Sequence, residues 1–387
     1  MIINFQRKGF MEPPKSKDIE SSDLTASASI TETYTYTVRL VPQHNLEIIG
    51  VGASSQVYKV NDNIVLKTSR VFERPGPDAS PRDQWNYASD TIFHSNLLKN
   101  ERTVFRILQR RPHPNLASAI DPDQPEGIYI RRYRAADPKI SLSQPQRIKL
   151  YCSITDALRH LHSLKIVHAD VRVDNIVEMG AFSLLLLSLA INSWFSLLAP
   201  STNILFDDQD SAILCDFSAS SPCGEPNLVF PDLPLPLNDP AAILSEATDM
   251  FAMASLIYQM EHGVSPVLSI AKGALALPEM NSGIQSLDDV VRNAWLGKYT
   301  CTKEMLRHLA SIDAQTNHCS HGALLSPRVE DSLGNQVQVW RRSRENTLGT
   351  VLEGLLSEDQ LQALADCNGM DMNADLHFAH YEMPASC

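Results

Sequence analysis

From residue 35 to residue 70 the chain alternates apolar and polar positions in short steps. Tyr36-Thr37-Val38-Arg39-Leu40-Val41 and Leu46-Glu47-Ile48-Ile49 have the alternation and β-branched content of strands. Gly50 and Gly52 break the pattern, and Gln56-Val57-Tyr58-Lys59-Val60 resumes it. Asn61-Asp62-Asn63 is a turn signal before Ile64-Val65-Leu66-Lys67, so this part predicts a β-hairpin followed by a third strand. Residues 73 to 90, rich in Pro and Asp, are expected to be a loop. The period then lengthens. Leu97, Leu98, Val104, Phe105 and Leu108 recur at helical intervals within His94 to Arg110. Ile148, Leu150, Tyr151, Ile154, Leu158 and Leu161 do the same from Gln144 to Leu164. Ile204-Leu205-Phe206 and Ala212-Ile213-Leu214-Cys215 flank the polar turn Asp207-Asp208-Gln209-Asp210 and predict a second hairpin. A Pro-rich irregular segment covers 222 to 240, and helices are expected at 246 to 261, 287 to 295 and 303 to 312. Strands first and helices later define an α+β domain.

The two ends have a different character. Residues 11 to 33 carry Ser, Thr, Pro and charge with few large apolar groups, so residues 1–34 are expected to form a disordered arm. The domain is assigned to 35–312. The extension 313–387 is mostly polar and expected to be largely irregular, apart from a helix near 357–366 opened by the capping box Ser357-x-x-Gln360. No internal repeat is present.

Composition narrows the classes. The 387 residues are 43% hydrophobic, ample for a core, and the formal net charge is −12 without any block of Lys and Arg. A general nucleic-acid binder needs such a block to neutralise phosphates, so nucleic acid is not an expected partner. The seven cysteines are scattered, odd in number and without C-x-x-C spacing, which suits a reducing compartment: the cytoplasm, with the nucleus as the alternative. His318-Cys319-Ser320-His321 lacks a second Cys/His pair at zinc-finger spacing, so no metal is expected there. Met1 to Phe10 has no apolar core, so no secretory signal is read.

The candidate chemistry lies in His168-Ala169-Asp170-Val171-Arg172-Val173-Asp174-Asn175, which resembles the catalytic loop H-R-D-x-x-x-x-N of eukaryotic protein kinases. Other segments fit the same family in the same order. Gly50-Val51-Gly52-Ala53-Ser54-Ser55-Gln56-Val57 resembles its Gly-rich loop, with Ser55 at the third Gly. Ile64-Val65-Leu66-Lys67 resembles the V-A-I-K strand, and Glu101, on the helix before His113-Pro114-Asn115, stands where its ion-pair partner does. Asp216-Phe217-Ser218 resembles D-F-G with Ser for Gly, and Thr248-Asp249-Met250-Phe251-Ala252-Met253-Ala254 resembles the helix whose buried Asp braces the catalytic loop. Ala294-Trp295-Leu296-Gly297-Lys298-Tyr299 also fits a segment late in these domains.

The resemblance implies a bilobal fold, with a small β-rich N-lobe at about 35–132 carrying one main helix and a larger, mainly helical C-lobe at about 133–312. It implies ATP and Mg2+ as cofactors and a protein as substrate. Gly50, Gly52, Ser54 and Val57 would line the nucleotide, and Lys67, paired with Glu101, would contact its phosphates. Asp170 would act as catalytic base with Arg172 beside it, where Ser/Thr kinases usually carry Lys. Asn175 and Asp216 would hold the metal, with Asn203 as the alternative to Asn175.

Four departures bear on activity. Ala169 replaces the Arg that grips an activation-loop phosphate in many members, and residues 219 to 240 contain Ser220 and Ser221 but no Thr or Tyr. Both favour activity that does not await loop phosphorylation. No A-P-E motif occurs; about twelve residues before Asp249 the chain reads Leu233-Pro234-Leu235-Pro236-Leu237. Lys67 and Glu101 are further apart than usual. Finally, Asp170 and Asp216 lie 46 positions apart, and removing 28 restores the spacing of about eighteen that the family implies. Asn175-Ile176 and Asn203-Ile204 are 28 positions apart, so deleting one copy joins Asp174 through a single Asn-Ile pair to Leu205-Phe206-Asp207. The insertion 176–203 includes the uncharged run Ala181 to Ala199, long enough to span a membrane. A span there would separate Asp170 from Asp216, which disfavours it. Three readings stay open: a retained intron translated in frame, an apolar insertion packing on the surface, and a membrane anchor.

Three functions follow: an ATP-dependent Ser/Thr protein kinase, a pseudokinase or scaffold that keeps the fold without turnover, and a small-molecule phosphotransferase. Asp216-Phe217-Ser218 and the Thr248 helix look more like the protein-kinase branch than the small-molecule one.

Overall fold

The computed structural model describes residues 2–8, 33–52, 54–134, 142–172, 204–207, 211–226, 243–271, 274–314 and 327–384. Asn175, Asn203, the insertion 176–203, the Leu233-Pro234 segment and His318 to His321 lie outside the described residues. The chain is mixed α/β, with a five-stranded antiparallel sheet and seven helices among the described residues.

The strands in chain order are β1 (Ile2–Lys8), β2 (Thr33–Arg39), β3 (Ile48–Val51), β4 (Ser55–Lys59) and β5 (Ile64–Ser69). The long helix α1 (Pro81–Arg110) is followed by β6 (Ala119–Asp121), β7 (Ile128–Arg131), α2 (Gln144–Ser163) and β8 (Ile166–Val167). Then come β9 (Ile204–Phe206), β10 (Ala212–Leu214), β11 (Ser221–Pro222), α3 (Glu246–His262), β12 (Ser269–Ala271) and β13 (Ala274–Ala276). Helices α4 (Gln285–Trp295), α5 (Thr302–Asp313), α6 (Pro327–Leu348) and α7 (Glu358–Cys367) close the chain.

The main sheet has the order β3-β4-β5-β7-β6. Its register sets Gly50 opposite Val57, Val57 opposite Lys67 and Lys67 opposite Ile128, one row of cross-strand neighbours through the centre. Every residue of β5 is buried, as expected of a central strand covered on both faces. The largest apolar cluster joins Val65, Ile128 and Ile130 of the sheet to Phe105 and Leu108 of α1, Ile154 and Leu158 of α2, Phe251 and Ile257 of α3, and Trp295 of α4. A fully buried Phe, Leu or Ile contributes about 1.5–3 kcal/mol each relative to exposure, so this shared cluster ties the sheet to the helices.

The structure departs from expectation in four places. Residues 81–90 are helical: Ser80 caps α1 by accepting from the Asp83 amide, and Pro81 stands in the first turn, where its missing N–H costs nothing. The Pro and Asp content that suggested a loop is thus a helix start. In the N-terminal arm, expected to be disordered throughout, Ile2–Lys8 pairs antiparallel with Thr33–Arg39, joining two stretches rich in β-branched and aromatic residues. The C-terminal extension, expected to be largely irregular, contains the 22-residue α6 besides the expected α7. Strands β6 and β7 complete the sheet beyond the expected hairpin and third strand.

Candidate active site

Strand β5 carries Lys67 into the protein, where its side chain is 6% exposed. Its Nζ donates to Glu101 Oε1 at 2.8 Å and to Asp216 Oδ1 at 2.7 Å. The 34-residue separation between Lys67 and Glu101 is spanned by the added turns of α1, which bring Glu101 back over β5. Gly127 makes room for this strand: a Cβ there would overlap the Lys67 carbonyl oxygen.

Burial pushes the Lys67 pKa down, but the charges of Asp216 and Glu101 with their hydrogen bonds outweigh it, and the net shift is upward. Burial raises the Asp216 pKa, yet the Lys67 charge and hydrogen bonds from Lys67 and Ser218 hold the carboxyl well below its usual range. Burial dominates at Glu101 and pushes its pKa up. The shifts thus favour the charged forms of Lys67 and Asp216, whereas burial of Glu101 favours its neutral form. Glu101 Oε1 also accepts from the Phe217 amide at 3.0 Å, linking α1 to the Asp216 turn.

Asp216 adopts a left-handed backbone (φ 65) at the start of a short 3-10 turn over Phe217–Ala219. Such a conformation in a non-Gly residue costs of order 1–3 kcal/mol and persists only where the surroundings fix it. Here the Phe217 ring is buried edge-on against Phe105 and His168, and Ser218 donates from both amide and hydroxyl to Asp216 Oδ1. Lys67 and Ser218 thus share Oδ1, which leaves Oδ2 as the carboxylate oxygen suited to a metal ion.

The His168 loop is fixed from below. Asp249, fully buried near the start of α3, accepts from the amides of His168 at 2.8 Å and Ala169 at 2.9 Å. His162 Nε2 meets the same carboxylate at 2.8 Å, and His162 Nδ1 meets the Thr302 hydroxyl at 2.6 Å. Burial raises the Asp249 pKa, but His162 and the His168 amide more than compensate, and the net shift is downward. Ala169 is held in a left-handed conformation (φ 63) by these bonds. His168 Nε2 meets the Cys215 carbonyl at 3.1 Å, so the two loops that carry Asp170 and Asp216 are directly joined. Asp170 follows, nearly buried, with its Oδ1 2.9 Å from Arg172 Nε.

The structure brings Lys67, Glu101 and Asp216 into direct contact and stands Asp170 and Arg172 on the adjoining loop. Gly50 and Val57 lie in the Lys67 row of the sheet, Gly52 closes the β3–β4 turn by donating to the Ser55 carbonyl at 2.9 Å, and Ser54 is buried beside it. The sequence reading missed Arg70, whose guanidinium donates to the Gly52 carbonyl, and the His162–Thr302 pair that orients Asp249. No spacing pattern flags them; the only signal is a polar residue at a helical core position, as His162 is on α2.

Among the described residues no group of three or more His, Cys, Asp or Glu is arranged to hold a metal ion, and no helix is long and apolar enough to cross a membrane. An ionised Asp216 with Oδ2 outside the Lys67 and Ser218 contacts fits one ligand of a hard cation completed by phosphate and amide oxygens.

No protein-family model matches the chain. Over 203 residues it is 22% identical to CBL-interacting protein kinase 22 of Oryza sativa subsp. japonica. The match takes in 48% of this chain and 42% of that protein, so the chain spans less than half the length of the curated relative. This is a distant similarity to a protein kinase.

Proposed function

We propose that the chain is an ATP-dependent protein kinase with a bilobal catalytic domain, transferring the γ-phosphate to Ser or Thr hydroxyls of a protein substrate. The observation that carries this reading is Lys67 bonded at once to Glu101 and Asp216, beside the Asp170 loop. Phosphoryl transfer needs little covalent work from a protein; it needs phosphates held, charge neutralised and an acceptor aimed. Lys67, kept cationic, binds the α- and β-phosphates. Glu101 holds Lys67 in place, and the β3–β4 turn with Gly50, Gly52, Ser54 and Val57 lies along the nucleotide. Asp216, with Asn175 or Asn203, would hold Mg2+, which neutralises phosphate charge when bound. Asp170 accepts the proton of the attacking hydroxyl, and Arg172 orients its carboxylate and faces the transferred group.

Activity independent of loop phosphorylation is supported by the burial of Ser220 and Ser221. Ser220 donates to the His168 carbonyl at 3.2 Å, and Ser221 is fully buried against His377.

The test is magnesium-dependent ATP turnover by the purified full chain, beside Asp170→Asn and Lys67→Ala. Both variants are expected to lose turnover by about a hundredfold or more. Turnover unchanged in Asp170→Asn removes that residue from the mechanism. A second reading, a nucleotide-binding scaffold, draws on Ser218, whose hydroxyl takes up one oxygen, Oδ1, of the Asp216 carboxylate at 2.7 Å. ATP binding without turnover in the native chain would select it.

A further inference from the structure

The C-terminal segment after α7 is sewn onto one stripe of α1. Ile92, Asn96 and Asn100 follow each other at four-residue steps, so they share one face of the helix. Ile92 packs with Leu361, Ala365 and Met372. Asn96 Nδ2 donates to the Met372 carbonyl at 2.8 Å, and Asn100 Nδ2 donates to the Asp375 carbonyl at 2.8 Å. Asn100 Oδ1 accepts from the His377 amide at 3.2 Å, so both ends of this buried amide are taken by the segment. Asn100 is the immediate neighbour of Glu101.

From α1 the segment passes to the other side of the site. His377 Nδ1 meets the Ser221 hydroxyl at 2.8 Å, and Ser221 pairs with Val167 of β8, the strand that runs into the His168 loop. Phe378 joins the main apolar cluster, and the Tyr381 hydroxyl donates to the Leu164 carbonyl at 2.6 Å. His377 therefore bridges the helix carrying Glu101 and the β8–β11 pair beside the His168 loop, through one backbone and one side-chain bond.

We propose that the segment from Met372 to Tyr381, centred on His377, is a positioning element for the transfer reaction: it holds α1, and with it Glu101, in register with the His168 loop. The inference rests on the kinase reading for its effect on rate, but not for its mechanical content. Asn is a poor residue for a helix interior and costly to bury without partners. Asn100 is buried there with both ends of its amide bonded to the segment, and Asn96 gives its Nδ2 to it, so an ordered segment is a condition for burying that face of α1. Release of the segment leaves Asn100 unsatisfied one residue from Glu101 and frees α1 to rotate Glu101 away from Lys67.

The test uses the full chain with Asn100→Ala, and Ser221→Ala as a second variant that leaves α1 untouched. Amide hydrogen exchange is followed in α1, in 166–172 and in 372–381. Asn100→Ala is expected to raise exchange in all three regions and to lower kcat by about tenfold or more, with binding of a fluorescent ATP analogue weakened less than about threefold. Ser221→Ala is expected to change the same readouts in the same direction to a smaller extent, and it carries the test should Asn100→Ala fail to fold. Increased exchange confined to 372–381, with α1 as protected as in the native chain, overturns the proposal. So does an unchanged kcat per folded molecule where the native chain turns over ATP. Should the native chain prove to have no turnover, the kinase reading falls and the exchange data alone decide whether α1 follows the segment.

Discussion

Asp249 shows how much one side chain carries here. Its two oxygens satisfy the amides of His168 and Ala169 and the His162 ring, all in a fully buried setting. An Asn at this position matches the shape but has one acceptor oxygen and an NH2 that faces donors. Asp249→Asn is therefore expected to cost about 3 kcal/mol, as breaking a buried charged network does, and to release Ala169 from its left-handed backbone. Urea unfolding of the two proteins measures the loss. The pH dependence has a definite sign. The folded Asp249 pKa lies below its unfolded value of about 3.9, so its contribution is fully present above that value and is lost as pH falls through the folded pKa. The stability gap between native and Asp249→Asn is thus expected to narrow as the pH falls below about 4. A gap that widens on acidification contradicts the assignment.

At the level of elements, the helices with dense apolar periodicity were legible in the sequence: α2, α3, α4 and α5 lie within a residue or two of the expected bounds. The Ser357 capping box marked α7 for the same local reason. Helix α6 was not legible, because its sequence is dominated by Arg, Gln, Asn and Glu and only Leu333, Val337 and Trp340 mark its inner face. Its position depends on a distant partner. Leu333 and Val337 cover Tyr58, Ile64, Leu66 and Tyr129 of the main sheet, and Arg341 forms an ion pair with buried Glu126, which also accepts from the Tyr129 hydroxyl at 2.6 Å. The site was legible in part for a similar reason. Residue types at the spacing of the resemblance pointed to Lys67, Asp170 and Asp216, whereas Arg70 on Gly52 belongs to no motif and His377 on Ser221 joins segments far apart in sequence. The α6 contact predicts a double-mutant outcome. Arg341→Met leaves Glu126 buried and unpaired and is expected to cost about 3 kcal/mol or more. Adding Glu126→Gln is expected to recover much of that loss, because the orphaned charge is then gone. Equal stability of the single and double variants in urea unfolding would place the ion pair among contacts of little weight.

For the whole molecule, the question is how 46 positions between Asp170 and Asp216 fit the proposed kinase reading, which expects about eighteen. The described ends of that stretch are both fixed by short-range contacts. On one side, the Asp249 carboxylate and the Cys215 carbonyl hold His168 and Ala169. On the other, β9 pairs with β10, and Phe206 exchanges amide–carbonyl bonds with Arg134 at 2.8 and 2.9 Å. Asn115 adds a side-chain bond to the Ala212 carbonyl at 2.9 Å, fastening β10 to the loop after α1. Each of these contacts is made between described residues. Joining Asn175 directly to Ile204 removes 28 residues and leaves one Asn, in place of two, as the proposed metal ligand. The shortened chain is expected to melt at the same temperature as the full chain or higher, since no described contact is lost and a long closed loop carries an entropic cost that grows slowly with length. If the proposed kinase reading holds, its magnesium-dependent ATP turnover is expected to exceed that of the full chain by about tenfold or more, because an Asn at the proposed spacing would hold the ion that neutralises phosphate charge. A shortened chain that folds but turns over ATP no faster would assign 176–203 a neutral surface role. One that fails to fold would make the insertion part of the domain and reject the duplicated Asn-Ile pair as its boundary.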